Sequence, residues 1–451
     1  MRRLTIFLTC AALPCVAATA RFEHEGERGA VITGRLLNEA GEPLTGVAVI
    51  AAGPDRVMGR DRLTAPGGSA ESDVKGRYRI SGLLPDVYYV FACPPPFCPA
   101  GRNGGTSRGG EVTFYPSAPD ISGAGRVRIA AGGEITNVDI VVRQPPTYEL
   151  AGTLLDQYGR PSPGKPLMLF PGEDVIVAVN AEARTSSNGR FSFSKLPAGP
   201  YVLQTGDVPD DGSVAVFASA AIHLSQDMRD VLLQAREGAT VRGEVLFEPA
   251  PADFDPNRLK LAARGGDFTQ SPAGILGASV AVREDWTFEI INVWGPQKFE
   301  VLELPDGWML KTVQVHGVDC TDQAVDLEAI RGTPGALRMV FTRPPSGVTG
   351  RVRDSSGRSA ALAHVLAFST DPDRWELPSR FVKRMSTDEA GRFALRRLPP
   401  GDYHLIALVH LPEYRASRTD VLESLRSFAK TVTIREGRQE FTDLTVQDRH
   451  F

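Results

Sequence analysis

An indole flanked by carboxylates is a simple way for a protein to hold a sugar: the ring stacks on the flat C–H face and the acids hydrogen-bond the hydroxyls. The chain has such a cluster in the polar loop Asp371-Pro372-Asp373-Arg374-Trp375-Glu376, between a strand ending near Phe368 and one starting near Phe381. Trp375, Asp373 and Glu376 are therefore the candidate ligand-binding residues. The competing reading of Trp375 is a ring that covers the open edge of its own sheet. Trp294 reads as core, Trp286 as a turn residue that can be exposed, and Trp308, beside Asp306-Gly307, as half-buried.

Metal and nucleophile chemistry find less support. His24 with Glu27 and His410 with Glu413 have the HxxE spacing of a zinc site. The first lies in a polar tail that cannot hold two ligands in fixed geometry, and Pro412 breaks the element that would carry the second. Gly105-Thr106-Ser107-Arg108-Gly109 spells GxSxG, but the nucleophile elbow needs a strand before it and a helix after it, and here glycine-rich loop surrounds it. The acidic loops Asp207 to Gly212 and Asp371 to Asp373 lack the ligand spacing of a calcium site. No catalytic residue, metal or cofactor is expected. Arg102 and Arg108 among glycines suit an RNA-binding segment, yet a net charge of −4 argues against a nucleic-acid partner.

Arg2 and Arg3, an apolar stretch from Leu4 to Val16 and Ala18-Thr19-Ala20 read as a secretory signal cleaved after residue 20. No later segment approaches the roughly 20 apolar residues of a membrane span, so the mature chain is expected to have no transmembrane segment and to be secreted or periplasmic. In an oxidising compartment Cys93 and Cys98, which bracket Pro94-Pro95-Pro96-Phe97, are placed to form a disulfide across a short stiff loop. Cys320 reads as a small buried apolar residue.

The elements that must position these residues recur along the chain. One copy runs Ile32-Thr33-Gly34-Arg35-Leu36, Gly41-Glu42-Pro43, Asp73 to Tyr78, and Leu84-Pro85-Asp86-Val87-Tyr88. A second runs Leu150-Ala151-Gly152-Thr153-Leu154, Gly159-Arg160-Pro161, Asn188-Gly189-Arg190-Phe191, and Leu196 to Tyr201. Another runs Val348-Thr349-Gly350-Arg351-Val352, Gly357-Arg358, Asp388 to Phe393, and Leu398-Pro399-Pro400-Gly401-Asp402-Tyr403. In each, the first two glycines stand seven residues apart. Between the second and last of these lies a worn copy, which keeps Val241-Arg242-Gly243-Glu244-Val245 and Thr287 to Ile290. It has Asp285-Trp286 where the turn glycine belongs and Val293-Trp294-Gly295-Pro296 for the closing motif.

Alternation such as Phe191 and Phe193 against polar neighbours is the period of a strand with one buried face. Asn188-Gly189 and Asp388 to Gly391 are turns in which a side-chain oxygen bonds backbone amides. The 451 residues include 45 glycines and 34 prolines with no period of three, which suits many tight turns and excludes collagen. With 42% hydrophobic residues the chain can bury several cores. The expected fold class is all-β: tandem antiparallel β-sandwiches of immunoglobulin-like type, with one short peripheral helix near the C-terminus. Its units are the signal at 1–20 and sandwiches at 21–145, 146–237, 238–345 (divergent) and 346–451. The helix is expected over Asp420 to Ala429, with Asp420 and Glu423 as a capping box and Leu422, Leu425 and Phe428 on one face. The linkers are short, so neighbouring sandwiches should touch.

The spacing from Gly-x-Val/Leu to Gly-x-Pro, the Asp or Asn before Gly-Arg-Phe/Tyr, and the closing Leu-Pro-Pro-Gly-x-Tyr resemble the carboxypeptidase regulatory-like domain. That resemblance implies a prealbumin-like (transthyretin-like) sandwich, close in fold to carbohydrate-binding modules and without catalysis of its own. Ser359 departs from the pattern's proline, and the worn copy loses most of it. The functional expectation is a secreted, non-enzymatic binding protein for a glycan. The alternative is a structural or interaction protein of the cell envelope that uses its sandwiches as spacers or docking modules for an envelope protein.

Overall fold

A computed structural model describes residues 29–448 except 58–59, 99–109, 173–179, 208–214, 251–253, 266–278, 334, 377–378, 412–415 and 417. The signal segment, His24 with Glu27, the GxSxG run, Arg102 and Arg108, Glu413 and most of the acidic loop after Asp207 lie outside the described residues.

The chain is a row of β-sandwiches. The first packs a sheet built on Ala30–Asn38 and Arg77–Leu83 against one built on Ala48–Val57, Arg60–Glu71 and Asp86–Cys93. In the second, the sheet around Thr147–Leu155 faces the one around Gly199–Asp207, and in the third Ala239–Glu248 and Leu337–Thr342 face Lys260–Gly265 and Pro296–Glu303. The last forms one eight-stranded sheet, because Leu444–Gln447 pairs with both Gly347–Arg353 and Gly401–Leu408 and joins the two layers along one side.

Most pairs are antiparallel, but each unit closes with its final strands running parallel to its opening strand. Ile140–Val142 lies along Leu36 to Asn38, Met228–Gln234 along Thr147–Leu155, Leu337–Thr342 along Ala239–Glu248, and Leu444–Gln447 along Gly347–Arg353. This closure explains the invariant first glycine of the repeat. A Cβ at Gly350 would collide with the Thr442 carbonyl and press on the Phe393 ring, so only glycine lets the returning strand come so close.

The third unit is a sandwich of the same plan despite its worn motifs. Trp286 takes the turn position with φ +63°, where the other units have Gly76, Gly189 and Gly391 at +73°, +75° and +71°. Its ring is not free on the surface but packs against Phe247 and Phe254 at 5.0 and 5.4 Å. Trp308 is buried rather than half-buried, and Cys320 is buried with its Sγ–H donating to the Val313 carbonyl.

The helix spans Thr419–Leu425 and gives way to a 3-10 turn at Arg426–Phe428, shorter than expected. The capping box does not form. Arg418 occupies the cap position and its guanidinium takes the Asp420 carboxylate at 2.6 and 3.0 Å, leaving Asp420 inside the first turn. Val421, Leu422 and Leu425 bury against Leu366, Phe368, Ile406 and Leu408 on the outer face of the last sandwich. Phe428 points away and is 41% exposed.

At the Asp388 turn, the carboxylate accepts N–H groups of Ala390 and Arg392 at 2.9 and 2.7 Å. A Cβ added at Gly391 would stand 2.6 Å from the Val352 carbonyl oxygen, in a backbone region that β-branched residues resist. Gly391→Val should therefore cost about 3 kcal/mol or more of stability, whereas Ser359→Val on the exposed spacer should stay within about 0.5 kcal/mol. Unfolding midpoints of the full chain compare them. Equal midpoints would show that this turn does not constrain the last sandwich.

Candidate functional site

Asp371 opens the loop by accepting the Asp373 N–H at 3.1 Å, which winds Pro372–Arg374 into a 3-10 turn. That turn drives Trp375 inward. The ring is 1% exposed, meets Phe368 edge-on at 5.5 Å, and its Nε1–H donates to the Ser369 carbonyl at 2.7 Å. A ring so enclosed offers no face to a sugar, which corrects the expectation of a stacking platform. Its apolar body is spent on the cluster beneath the helix. Asp373 is exposed but bound up in the turn, and Glu376 is half-buried with its carbonyl toward Lys298 Nζ of the third sandwich at 3.4 Å. The three candidate residues are brought together by sequence proximity alone, and of the three only Trp375 lies in the hydrophobic cluster.

The loop belongs instead to a junction between the third and fourth sandwiches. Arg380 forms a two-pronged pair with Asp322, both bonds 2.9 Å, and also donates to the Leu310 carbonyl at 3.0 Å. Arg397 donates to the carbonyls of Trp308, Leu304 and Pro305 at 3.0, 2.7 and 3.0 Å. A planar guanidinium that satisfies several acceptors at once fixes an angle between bodies in a way that a single ammonium does not.

The other junctions are equally built. Between the first and second sandwiches the hydrophobic core is continuous, and Phe97 stacks on Tyr201 at 5.9 Å. Cys93 and Cys98, which flank that phenylalanine, are joined, with Cα atoms 5.6 Å apart. The disulfide loop thus carries a contact surface. Between the second and third, Trp294 packs on Phe217 at 5.7 Å, Asn292 accepts the Ala215 N–H at 2.8 Å and Arg236 pairs with Glu328 at 2.6 Å.

A further contact spans the whole chain. Arg418, at the start of the helix on the last sandwich, donates to Asp86 of the first at 2.6 Å, and the two side chains are 5% and 7% exposed. Asp86 stands in the closing motif of its copy, where the second and fourth copies have Gly199 and Gly401 at the same distance before the tyrosine. An acid in place of that glycine was the available signal. Arg418 carried none, because its neighbours in sequence say nothing of a partner 332 positions away.

Under the same helix lies an unsatisfied histidine. His404 is paired across the sheet with Phe368, its ring is 5.2 Å from that phenylalanine, and neither ring nitrogen has a hydrogen-bond partner among the described residues. Burial, then the positive charge of Arg426, hold its pKa below the ordinary 6.5, with Glu423 opposing. Burial also lowers His364, followed by the charges of Arg384 and His410. A histidine kept neutral in the fold binds a proton more readily when unfolded, so its stabilisation is intact above pH 6.5 and is lost as pH falls toward the lowered value. Unfolding followed at about pH 7 and about pH 5 should show the loss, and His404→Phe should flatten part of it. An unchanged slope in the variant would place the acid sensitivity elsewhere.

Among the described residues no group of three or more His, Cys, Asp or Glu could hold a metal ion, and no helix is long and apolar enough to cross a membrane.

Residues 347–447 match the model of the carboxypeptidase regulatory-like domain. The fourth sandwich is a carboxypeptidase regulatory-like domain. Its motif residues take clear structural parts: Gly391 makes the turn, and the Tyr403 hydroxyl donates to the Pro399 carbonyl at 2.7 Å, as Tyr201 does to Pro197 in the second sandwich. No curated protein matches the chain. Among solved structures it is similar to a streptococcal ancillary pilin, 13% identical over 67% of this chain and 100% of that one, with a TM-score of 0.22. It is likewise similar to GBS52, the minor pilin of Streptococcus agalactiae, 14% identical over 51% and 100%, TM-score 0.22. For BcpA, the major pilin subunit of Bacillus cereus, the figures are 13%, 67% and 99%, TM-score 0.17.

Proposed function

We propose that the chain is a secreted, non-catalytic scaffold of the cell envelope, in which the sandwiches are held as one body and present their outer faces to a partner. The observation that carries this reading is the buried Asp86–Arg418 pair, which ties the first sandwich to the carboxypeptidase regulatory-like domain at the other end. A string of flexible spacers has no use for such a tie, since burying two charges is costly unless their geometry is fixed. The signal-like segment at 1–20 and the joined cysteines support an oxidising compartment outside the cytoplasm. Glycan binding through the Trp375 loop is not part of the proposal.

Limited proteolysis tests the reading. Sites near Gln144, Glu237 and Pro345 should resist cleavage under conditions that cut ordinary interdomain linkers. Ready release of single sandwiches would favour independent modules on loose connections.

A further inference from the structure

Four turns of the chain share the pattern Asp-x-x-Gly-Arg, at Asp73, Asp156, Asp354 and Asp388. In three of them the arginine folds back onto its own aspartate, Arg77 at 2.7 Å, Arg160 at 2.9 Å and Arg358 at 3.0 Å. Arg392 is the exception: its backbone N–H binds Asp388, but its guanidinium has no ion-pair partner among the described residues. Arg351 departs from its counterpart in the same way. Arg35 of the first sandwich gives both its N–H and its guanidinium to Asp139, at 2.8 and 3.1 Å, whereas among the described residues Arg351 gives only its N–H to Asp443, at 3.0 Å.

These two arginines are directly opposed across the antiparallel strands Gly347–Arg353 and Arg392–Arg396, so their side chains share one face. Like charges in that position repel, and the fold retains the acids that elsewhere neutralise them without using them for that purpose. On the next strand Phe441, opposite Thr349, is 69% exposed. The three side chains line an open groove of about 340 Å³ with Thr349, Gly350 and Phe393.

We propose that this groove of the carboxypeptidase regulatory-like domain binds an acidic polysaccharide, one uronate carboxylate seated between Arg351 and Arg392 and a sugar ring resting on Phe441. Two guanidinium groups suit a carboxylate, and an exposed phenyl face suits the C–H face of the same or the neighbouring sugar. An extended peptide would use backbone bonds along a strand, but Gly347–Arg353 is already paired on both sides. A densely charged strand such as a nucleic acid would meet Asp388 and Asp443, whose carboxylates hold the backbone N–H groups of Arg392 and Arg351, whereas a polysaccharide spaces its charges one sugar or more apart. This goes beyond the scaffold reading, since a rigid body can carry the site or lack it.

Calorimetric titration of the full chain with oligogalacturonate, its methyl ester and neutral dextran tests the assignment. Oligogalacturonate should bind, more weakly as salt rises, and the ester and dextran should not. The double variant Arg351→Gln/Arg392→Gln should lose at least about tenfold in affinity while melting no lower than the wild type, because a repulsion has been removed. Phe441→Ala should lose about tenfold at any salt concentration. Absence of binding to oligogalacturonate would overturn the proposal, as would equal binding of the ester or full affinity in the double variant. A double variant that melts far below the wild type would make the arginines structural. Tighter binding of a single-stranded oligonucleotide through the same three residues would replace the polysaccharide by a nucleic acid.

Discussion

Replacing Arg418 by alanine is expected to cost about 3–5 kcal/mol in the contact between the first and last sandwiches, because it leaves Asp86 as a buried charge without its guanidinium. The two side chains are nearly sealed from water, and the guanidinium lies against Gly53 on the neighbouring strand. Asp420 would also lose its partner, but that carboxylate is half exposed and water can replace the arginine. The loss is therefore expected at Asp86. Hydrogen exchange should report it as faster labelling of Ala48–Val57 and Thr419–Leu425, with the second and third sandwiches unchanged. Asp86→Ala should give the same pattern from the other side. If either variant exchanges like the wild type, the pair contributes nothing to holding the ends together.

Trp375→Ala should strike the interior of the carboxypeptidase regulatory-like domain itself. It removes a ring that is 1% exposed and orphans the Ser369 carbonyl, so the cost should be about 3–5 kcal/mol. The helix Thr419–Leu425 shares the emptied cluster and should loosen with it. Denaturant unfolding, monitored in that helix by exchange, provides the measurement. A variant as stable as the wild type would mean that the ring is not a structural wedge.

The fold was largely legible in the sequence because the repeated turns are local: Gly391 after Asp388, and Tyr403 after Leu398-Pro399, announce strand ends from neighbouring residues. What held the strands in parallel closure was not legible, since Gly350 is demanded by the Thr442 carbonyl about 90 residues downstream, a pairing that no local pattern encodes. Trp375 escapes a local reading for a related reason. A polar loop ordinarily signals exposure, but the Asp371 turn folds that loop over an apolar face that the sequence does not display as a patch. The third sandwich shows the converse. Trp286 supports the same left-handed turn as glycine because its ring recovers the strain by packing on Phe247 and Phe254. Arg351 and Arg392 could be found only by comparison among copies, where the same residue types are neutralised in one place and, among the described residues, left without an ion-pair partner in another.

The claim that the sandwiches form one closed body is tested most directly by a distance across its ends. Nitroxides attached through cysteines at Lys75, on an exposed turn of the first sandwich, and Ser356, on an exposed turn of the last, would be measured by pulsed electron–electron resonance. A single narrow distance distribution in the full chain, broadened by Arg418→Ala, is the predicted result. A broad distribution in the unmodified chain, unaffected by that substitution, would contradict the closed scaffold and leave four sandwiches on flexible joints.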